Sequence, residues 1–165
     1  MGAVARAYGS PALRLSAALF VLGPACIHLA VVPEHLVEYL PYGLFFLVVG
    51  LVQIGLAAAL LLRPSPLLLL GGAAGILVVI GVWIWSRTTG ILRLPGMPEA
   101  IGLPDLLTSL MEFVAVVLLL IADLRLDRTG TPFRPLRAAP GLALAVLVSF
   151  AFTFFSLAGV GASGH

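Results

Sequence analysis

The chain has 165 residues, of which 61% are apolar and 10% charged, and its mean hydropathy is +1.18. Soluble domains carry roughly 45–50% apolar and about 25% charged residues, so this composition is typical of an integral membrane protein. The single cysteine, Cys26, excludes an internal disulfide and a thiolate zinc site. A pI near 9.2 would suggest nucleic acid in a soluble protein, but membrane topology explains the arginines better, and no nucleic-acid partner is expected.

Five apolar stretches are long enough to cross a bilayer, which takes about 20 residues each. They cover residues 12–32, 42–62, 67–86, 104–122 and 140–160 approximately. Because the runs are continuous and do not alternate between apolar and polar residues, they predict helices rather than a barrel. The predicted fold class is therefore all-α, a single membrane domain over residues 1–165 with five transmembrane helices.

The arginines predict the orientation of this bundle. With a cytoplasmic N-terminus and five spans, the inner segments hold seven of the nine cations, and the outer loops hold only Arg87 and Arg93. This positive-inside bias places the N-terminus inside and the C-terminus outside the cell membrane. The lipid bilayer is the expected partner, together with a homo-oligomer or a larger membrane complex.

The connection after the first helix contains closely spaced ionisable side chains. Pro33 is expected to stop that helix, and residues 33–40 are expected to form a short helix lying in the interface. On it, His35 and Glu38 would lie one turn apart, with Glu34 on the same polar side. Trp83 and Trp85, near the outer end of the third helix, are interpreted as interfacial anchors.

Two ionisable residues lie deeper, where a charge is costly and marks a candidate functional site. His28 precedes Pro33 by five residues, and Glu112 follows Asp105 by seven, so each lies roughly 7–11 Å inside the outer end of its helix. We therefore expect the two side chains to reach a similar depth from the same face of the membrane.

The fourth helix also carries a polar stripe, formed by Asp105, Thr108, Ser109 and Glu112 at i, i+3, i+4 and i+7. The stripe is typical either of the wall of a water-filled vestibule or of a hydrogen-bonded seam between helices. The long loop between Arg87 and Pro104, which includes Glu99, is expected to lie over the stripe as a lid or ligand-binding loop.

Imidazole and carboxylate groups in the outer half suit a transition metal such as Zn, Fe, Mn or Cu. The predicted metal ligands are His28, His35, Glu38, Asp105 and Glu112. The predicted supporting or gating residues are Glu34, Gln53, Arg87, Glu99 and Thr108. The alternative interpretation is that Arg87 and Arg93 neutralise the acids, while His28 is a hydrogen-bonded core histidine.

Three functions follow from this pattern, and the sequence does not decide whether the protein is an enzyme. The first is a polar, metal-binding site that opens to the extracytoplasmic side. The second is a proton- or cation-coupled transporter or channel, in which Glu112 takes up protons and Gln53 extends the route inward. The third is a non-catalytic accessory subunit of a membrane complex.

The segments PEHLVEYLPYGLFFLVVGLVQI and SRTTG…PEAIGLPDLL resemble uncharacterised small multi-pass membrane proteins of high-GC, actinobacterial-type bacteria. The resemblance covers roughly the first three-quarters of the chain. It implies the same multi-pass architecture, and it transfers no activity and no site residue.

Overall fold

The computed structural model describes residues 11–89, 101–124, 147–149 and 153. These residues form four long helices, α1 (Pro11–Glu38), α2 (Leu40–Leu62), α3 (Pro66–Thr88) and α4 (Leu103–Leu124), and the described ranges contain no strand. Each helix has 22 to 28 residues and is apolar enough to cross a bilayer. The described part of the chain is thus all-helical, with helices long and apolar enough for a multi-pass membrane protein.

Helix α1 is longer than the sequence predicts, because it does not stop at Pro33. It continues to Glu38, so the segment expected to form a separate interfacial helix is the last part of α1. A proline within a helix removes one backbone hydrogen bond, which membrane helices tolerate when neighbouring helices support them. Here Leu36 lies directly against Gly43 of α2, and this contact holds the extension in place.

Helices α1 and α2 form a tight antiparallel hairpin joined at Tyr39, whose backbone N–H donates to the carbonyl oxygen of His35 over 2.9 Å. Further along the hairpin the two helices also come close at Gly50, where a Cβ atom would lie 2.8 Å from Cγ of Leu29. Glycine at this position lets the backbones come together, and larger residues could not occupy it without a shift.

The packing order around the bundle is α2, α1, α4, α3. Helix α1 packs against α2 and α4, and α4 packs against α3, whereas α2 and α3 barely touch along their length. Most of the apolar surface of α2 and α3 faces outward, and residues such as Leu67 (83% exposed) and Val78 (65% exposed) need a hydrocarbon surrounding.

A fifth helical segment contacts α1. Residues 147–149 and 153 are helical, and the Ser149 hydroxyl donates to the carbonyl oxygen of Leu19 over 3.1 Å. The rest of the predicted fifth helix, residues 140–160, lies outside the described residues, as does most of the predicted lid.

Candidate functional site

Three buried polar side chains meet in the interior of the bundle, each from a different helix. Glu112 of α4 accepts a hydrogen bond at Oε1 from Gln53 Nε2 of α2 over 2.7 Å. The same oxygen lies 3.1 Å from Nε2 of His28 on α1, which donates when the ring proton is on Nε2. The exposed fractions of His28, Gln53 and Glu112 are 6%, 3% and 2%. We call these three residues the polar cluster.

The hydrogen bonds of the polar cluster account for the burial of a carboxyl group in an apolar bundle. Removing such a group from water is costly unless neighbouring donors replace the lost hydration. Glu112 receives both donors at one oxygen, whereas Gln53 Oε1 is buried and has no hydrogen-bond partner. The cluster therefore retains one unused acceptor.

Aromatic rings fix the positions of two histidines. The ring of Phe46 is stacked on His28, with centroids 5.5 Å apart, and meets His35 edge-on, with centroids 4.6 Å apart. His35 Nδ1 donates to the carbonyl oxygen of Val31 over 2.9 Å, so this imidazole is tied to its own helix. Phe46 thus separates the two imidazoles and gives them different hydrogen-bond partners.

Two residues of the polar cluster, His28 and Glu112, line the floor of a cavity with a volume of about 110 Å³. The cavity opens at the end of the bundle where α1 and α3 end and α2 and α4 begin. Its wall combines aromatic rings with hydroxyl and charged groups. Helix α1 contributes His28 and His35, and α2, α3 and α4 contribute Tyr42, Phe45, Phe46, Trp83, Ser86, Arg87, Asp105, Thr108 and Ser109.

An ion pair forms part of the rim of this cavity. Arg87 Nη2, at the end of α3, lies 3.0 Å from Asp105 Oδ2, at the start of α4. The same Asp105 oxygen accepts the backbone N–H of Gly102 over 3.0 Å, which caps the first turn of α4. The ion pair therefore joins two helix ends across the long loop between them.

The structure brings some of the predicted ligands together and separates others. His28 and Glu112 are in direct contact, and Gln53, predicted as a supporting residue, contacts Glu112 as well. Asp105 is paired with Arg87, as the alternative interpretation requires, and the remaining predicted residues are placed elsewhere. His35 and Thr108 line the cavity wall, Glu34 and Glu38 are exposed at the end of α1, and Glu99 lies outside the described residues.

Within the described residues, no group of three or more His, Cys, Asp and Glu side chains is arranged to hold a metal ion. The predicted five-residue ligand set is therefore not assembled there, and transition-metal binding stays a prediction. The physical reason is competition, since Arg87 holds Asp105 and the Val31 carbonyl holds His35.

The sequence analysis missed the role of Trp83. It lines the cavity instead of only anchoring α3 at the interface, and its buried Nε1–H has no hydrogen-bond partner. The spacing of residues along α3 could have revealed this position. One face of the helix carries Val79, Trp83, Ser86 and Arg87. Trp85, in contrast, is 58% exposed.

The comparisons with known proteins add no family or relative. No protein-family model, curated protein or solved structure matches the chain. The functional argument therefore depends on the geometry of the polar cluster and its cavity.

Proposed function

We propose that the chain is a five-helix membrane protein with a cytoplasmic N-terminus, which binds a small ligand in a cavity open to the extracytoplasmic side of the cell membrane. The observation that carries the proposal is that this cavity ends on the buried polar cluster. A concave, largely apolar site with a few converging polar groups is the usual form of a small-molecule site. Intramembrane ionisable groups are also retained mainly where they serve a function.

The extracytoplasmic direction is supported by the arginines. The cavity opens at the end of the bundle that holds Arg87, whereas Arg63 lies between α2 and α3 at the opposite end. Seven of the nine arginines belong to the side of Arg63 when five helices are counted, and that side is cytoplasmic by the positive-inside rule. The helical residues 147–149 and 153 support the fifth helix.

A binding site fits the described helices better than a channel. Beyond the polar cluster, toward the Arg63 end, the described residues include a core of buried apolar side chains. These residues include Phe20, Leu60, Leu69, Leu119 and Ala122. A polar path that ends on packed hydrocarbon favours a ligand that enters and leaves from the same side.

A divalent transition-metal ion is the second candidate ligand, and one distance favours it. His28 Nε2 and Glu112 Oε1 are 3.1 Å apart, a separation also expected of two neighbouring ligands that each lie about 2.1 Å from one ion. The unused Gln53 Oε1 would be a third donor atom. Elemental analysis of protein loaded with Zn²⁺ or Mn²⁺ tests this candidate. Stoichiometric metal that is lost in Glu112→Gln but kept in Glu38→Gln would support it, and metal-free protein would exclude it.

Cysteine accessibility tests the proposed cavity itself. In a Cys26→Ala background, Ser109→Cys places a thiol in the cavity wall, and Arg63→Cys places one at the opposite end of the bundle. We expect a small, charged, membrane-impermeant thiol reagent to label Ser109→Cys in right-side-out vesicles and Arg63→Cys only in inside-out vesicles. If Ser109→Cys is unlabelled from the outside, the proposed outward-facing site is wrong.

A further inference from the structure

A groove between α2 and α3 continues from the cavity along the seam where the two helices barely touch. It has a volume of about 400 Å³, and Val79 lines both the groove and the cavity. On α3 the lining residues run from Leu68 to Arg87, roughly 28 Å along the helix axis at about 1.5 Å per residue. Groove and cavity thus adjoin at Val79 and together follow α3 along the bundle.

The groove is apolar and unfilled by the surrounding helices. At Gly55, Gly71 and Gly75, which line it, an added Cβ atom would meet no atom within 4 Å. None of the described residues of the fifth helical segment lines the groove, and Ser149 bonds to Leu19 of α1. This shape suits a flexible apolar chain.

Among the described residues, the buried polar atoms along the groove and the cavity that have no hydrogen-bond partner include one side-chain acceptor and one indole donor. Gln53, which lines the groove, has its unused acceptor Oε1, and Trp83, which lines the cavity, has its unused donor Nε1–H. Buried polar groups in native proteins are almost always hydrogen-bonded, so such a pair calls for a ligand group that both donates and accepts. A hydroxyl group does both.

The cavity wall indicates what carries this hydroxyl group. Tyr42, Phe45 and Phe46 from α2 face Trp83 from α3 across the cavity. Aromatic side chains pack well against another ring in stacked or edge-on geometry. Each such contact contributes binding free energy beyond that of burying apolar surface. A planar, hydroxylated ring therefore fits this wall better than the phosphate head of an ordinary lipid, since Arg87 is the one cation among the described residues that line the cavity.

We propose that the ligand is a lipid-soluble hydroxylated aromatic molecule, such as an alkyl hydroquinone, whose ring lies in the cavity and whose apolar tail lies in the groove between α2 and α3. This inference rests on the proposed function, because it names the class of ligand that the cavity takes. One ring hydroxyl would accept from the Trp83 Nε1–H in the cavity, and the other would donate to Gln53 Oε1, which lines the groove.

The test uses the full-length protein in lipid nanodiscs with Trp85→Phe, which leaves Trp83 as the only tryptophan. The probes are decylhydroquinone, its dimethyl ether, in which both O–H donors are blocked, and hydroquinone without a tail. We expect saturable quenching of Trp83 fluorescence by decylhydroquinone. Binding should be at least about tenfold weaker for the ether, since a lost hydrogen bond to a buried group is worth about 1.4 kcal/mol or more.

Two substitutions in α3 distinguish binding of the apolar tail in the groove from a general effect of a larger side chain on the helix. Gly75→Leu fills the groove and should weaken binding of decylhydroquinone at least about tenfold, without affecting tail-free hydroquinone. Gly81→Leu is the matched control, because Gly81 also faces open space but does not line the groove. If Gly75→Leu does not fold, Gly75→Ala narrows the same wall by one methyl group and should give a smaller loss.

Three results would overturn the inference. Equal quenching by the hydroquinone and its ether, unaffected by Gly75→Leu, would mean that ordinary lipid fills the groove. A change of oligomeric state in Gly75→Leu, without a change in binding, would mean that a second copy of the chain covers it. No saturable quenching by any probe, while Ser109→Cys is labelled from outside, would refute the ligand class but leave the outward-facing site standing.

Discussion

Glu112 and His28 lie 84 positions apart in the chain, yet the Oε1 atom of one and the Nε2 atom of the other are 3.1 Å apart inside the bundle. The contact joins α1 to α4, and Gln53 adds α2 through the same oxygen. Because three helices meet at one oxygen atom, the polar cluster contributes to the packing of the bundle as well as to the floor of the cavity.

Loss of His28 should destabilise the protein. His28→Ala leaves Glu112 buried with Gln53 as its remaining hydrogen-bond donor, and interhelical hydrogen bonds in membranes are worth about 0.6–2 kcal/mol. We expect a lower apparent melting temperature in mild detergent, followed by circular dichroism. His35→Ala is the matched control, since His35 bonds to its own helix and is only half-buried. An equal loss in both variants would argue against a special role for the polar cluster.

Glu112→Gln should be tolerated better than Glu112→Leu. The amide oxygen of glutamine can still accept from His28 and Gln53, whereas leucine leaves both side chains without their shared partner. We expect Glu112→Leu to lower the free energy of unfolding by about 1–3 kcal/mol more than Glu112→Gln does, measured by denaturant titration in detergent. If Glu112→Leu is instead more stable than the wild type, the polar cluster lowers the stability of the fold. Its presence would then be explained by function alone.

The sequence predicted the one contact of the site that depends only on how deep each residue lies in the membrane. His28 and Glu112 were placed together because each lies a similar distance from a helix end, and helix rise is nearly constant. Which neighbours compete for a side chain depends on rotamers and on helix rotation, which spacing does not specify. The pairing of Asp105 with Arg87 was therefore one of two open interpretations, and the capture of His35 by its own helix was not foreseen.

The same reasoning applies to the fold. The apolar runs predicted α2, α3 and α4 to within two residues at each end, because hydrophobic length is a local property. The end of α1 was wrong, because the contact of Leu36 with Gly43 is a tertiary interaction that outweighs the local signal of Pro33. The open seam between α2 and α3 depends on which helices pack against each other. Hydropathy does not specify that order, so the seam could not be predicted from the sequence.

The Arg87–Asp105 ion pair should contribute modestly to stability. Its side chains are 13% and 34% exposed, and partly exposed pairs are typically worth less than about 1 kcal/mol. Asp105→Asn keeps an oxygen for the Gly102 N–H and loses only the charge, whereas Asp105→Ala loses both the charge and the cap. We expect Asp105→Ala to lower the melting temperature more than Asp105→Asn. Identical effects would mean that the cap adds nothing measurable.

Gly50 should be sensitive to substitution, because it lies at the α1–α2 contact. A Cβ atom there would lie 2.8 Å from Cγ of Leu29 and 3.2 Å from the carbonyl oxygen of Ala25, so Gly50→Val forces the two helix backbones apart. Overpacking of this kind costs about 1–3 kcal/mol, and the displacement of α2 would also move Gln53 away from Glu112. Gly81→Val, on the open face of α3, is the control and should leave the melting temperature within a few degrees of wild type. Thermal unfolding in the same detergent compares the two variants, and equal stability would show that α1 and α2 can separate at Gly50 without consequence for the bundle.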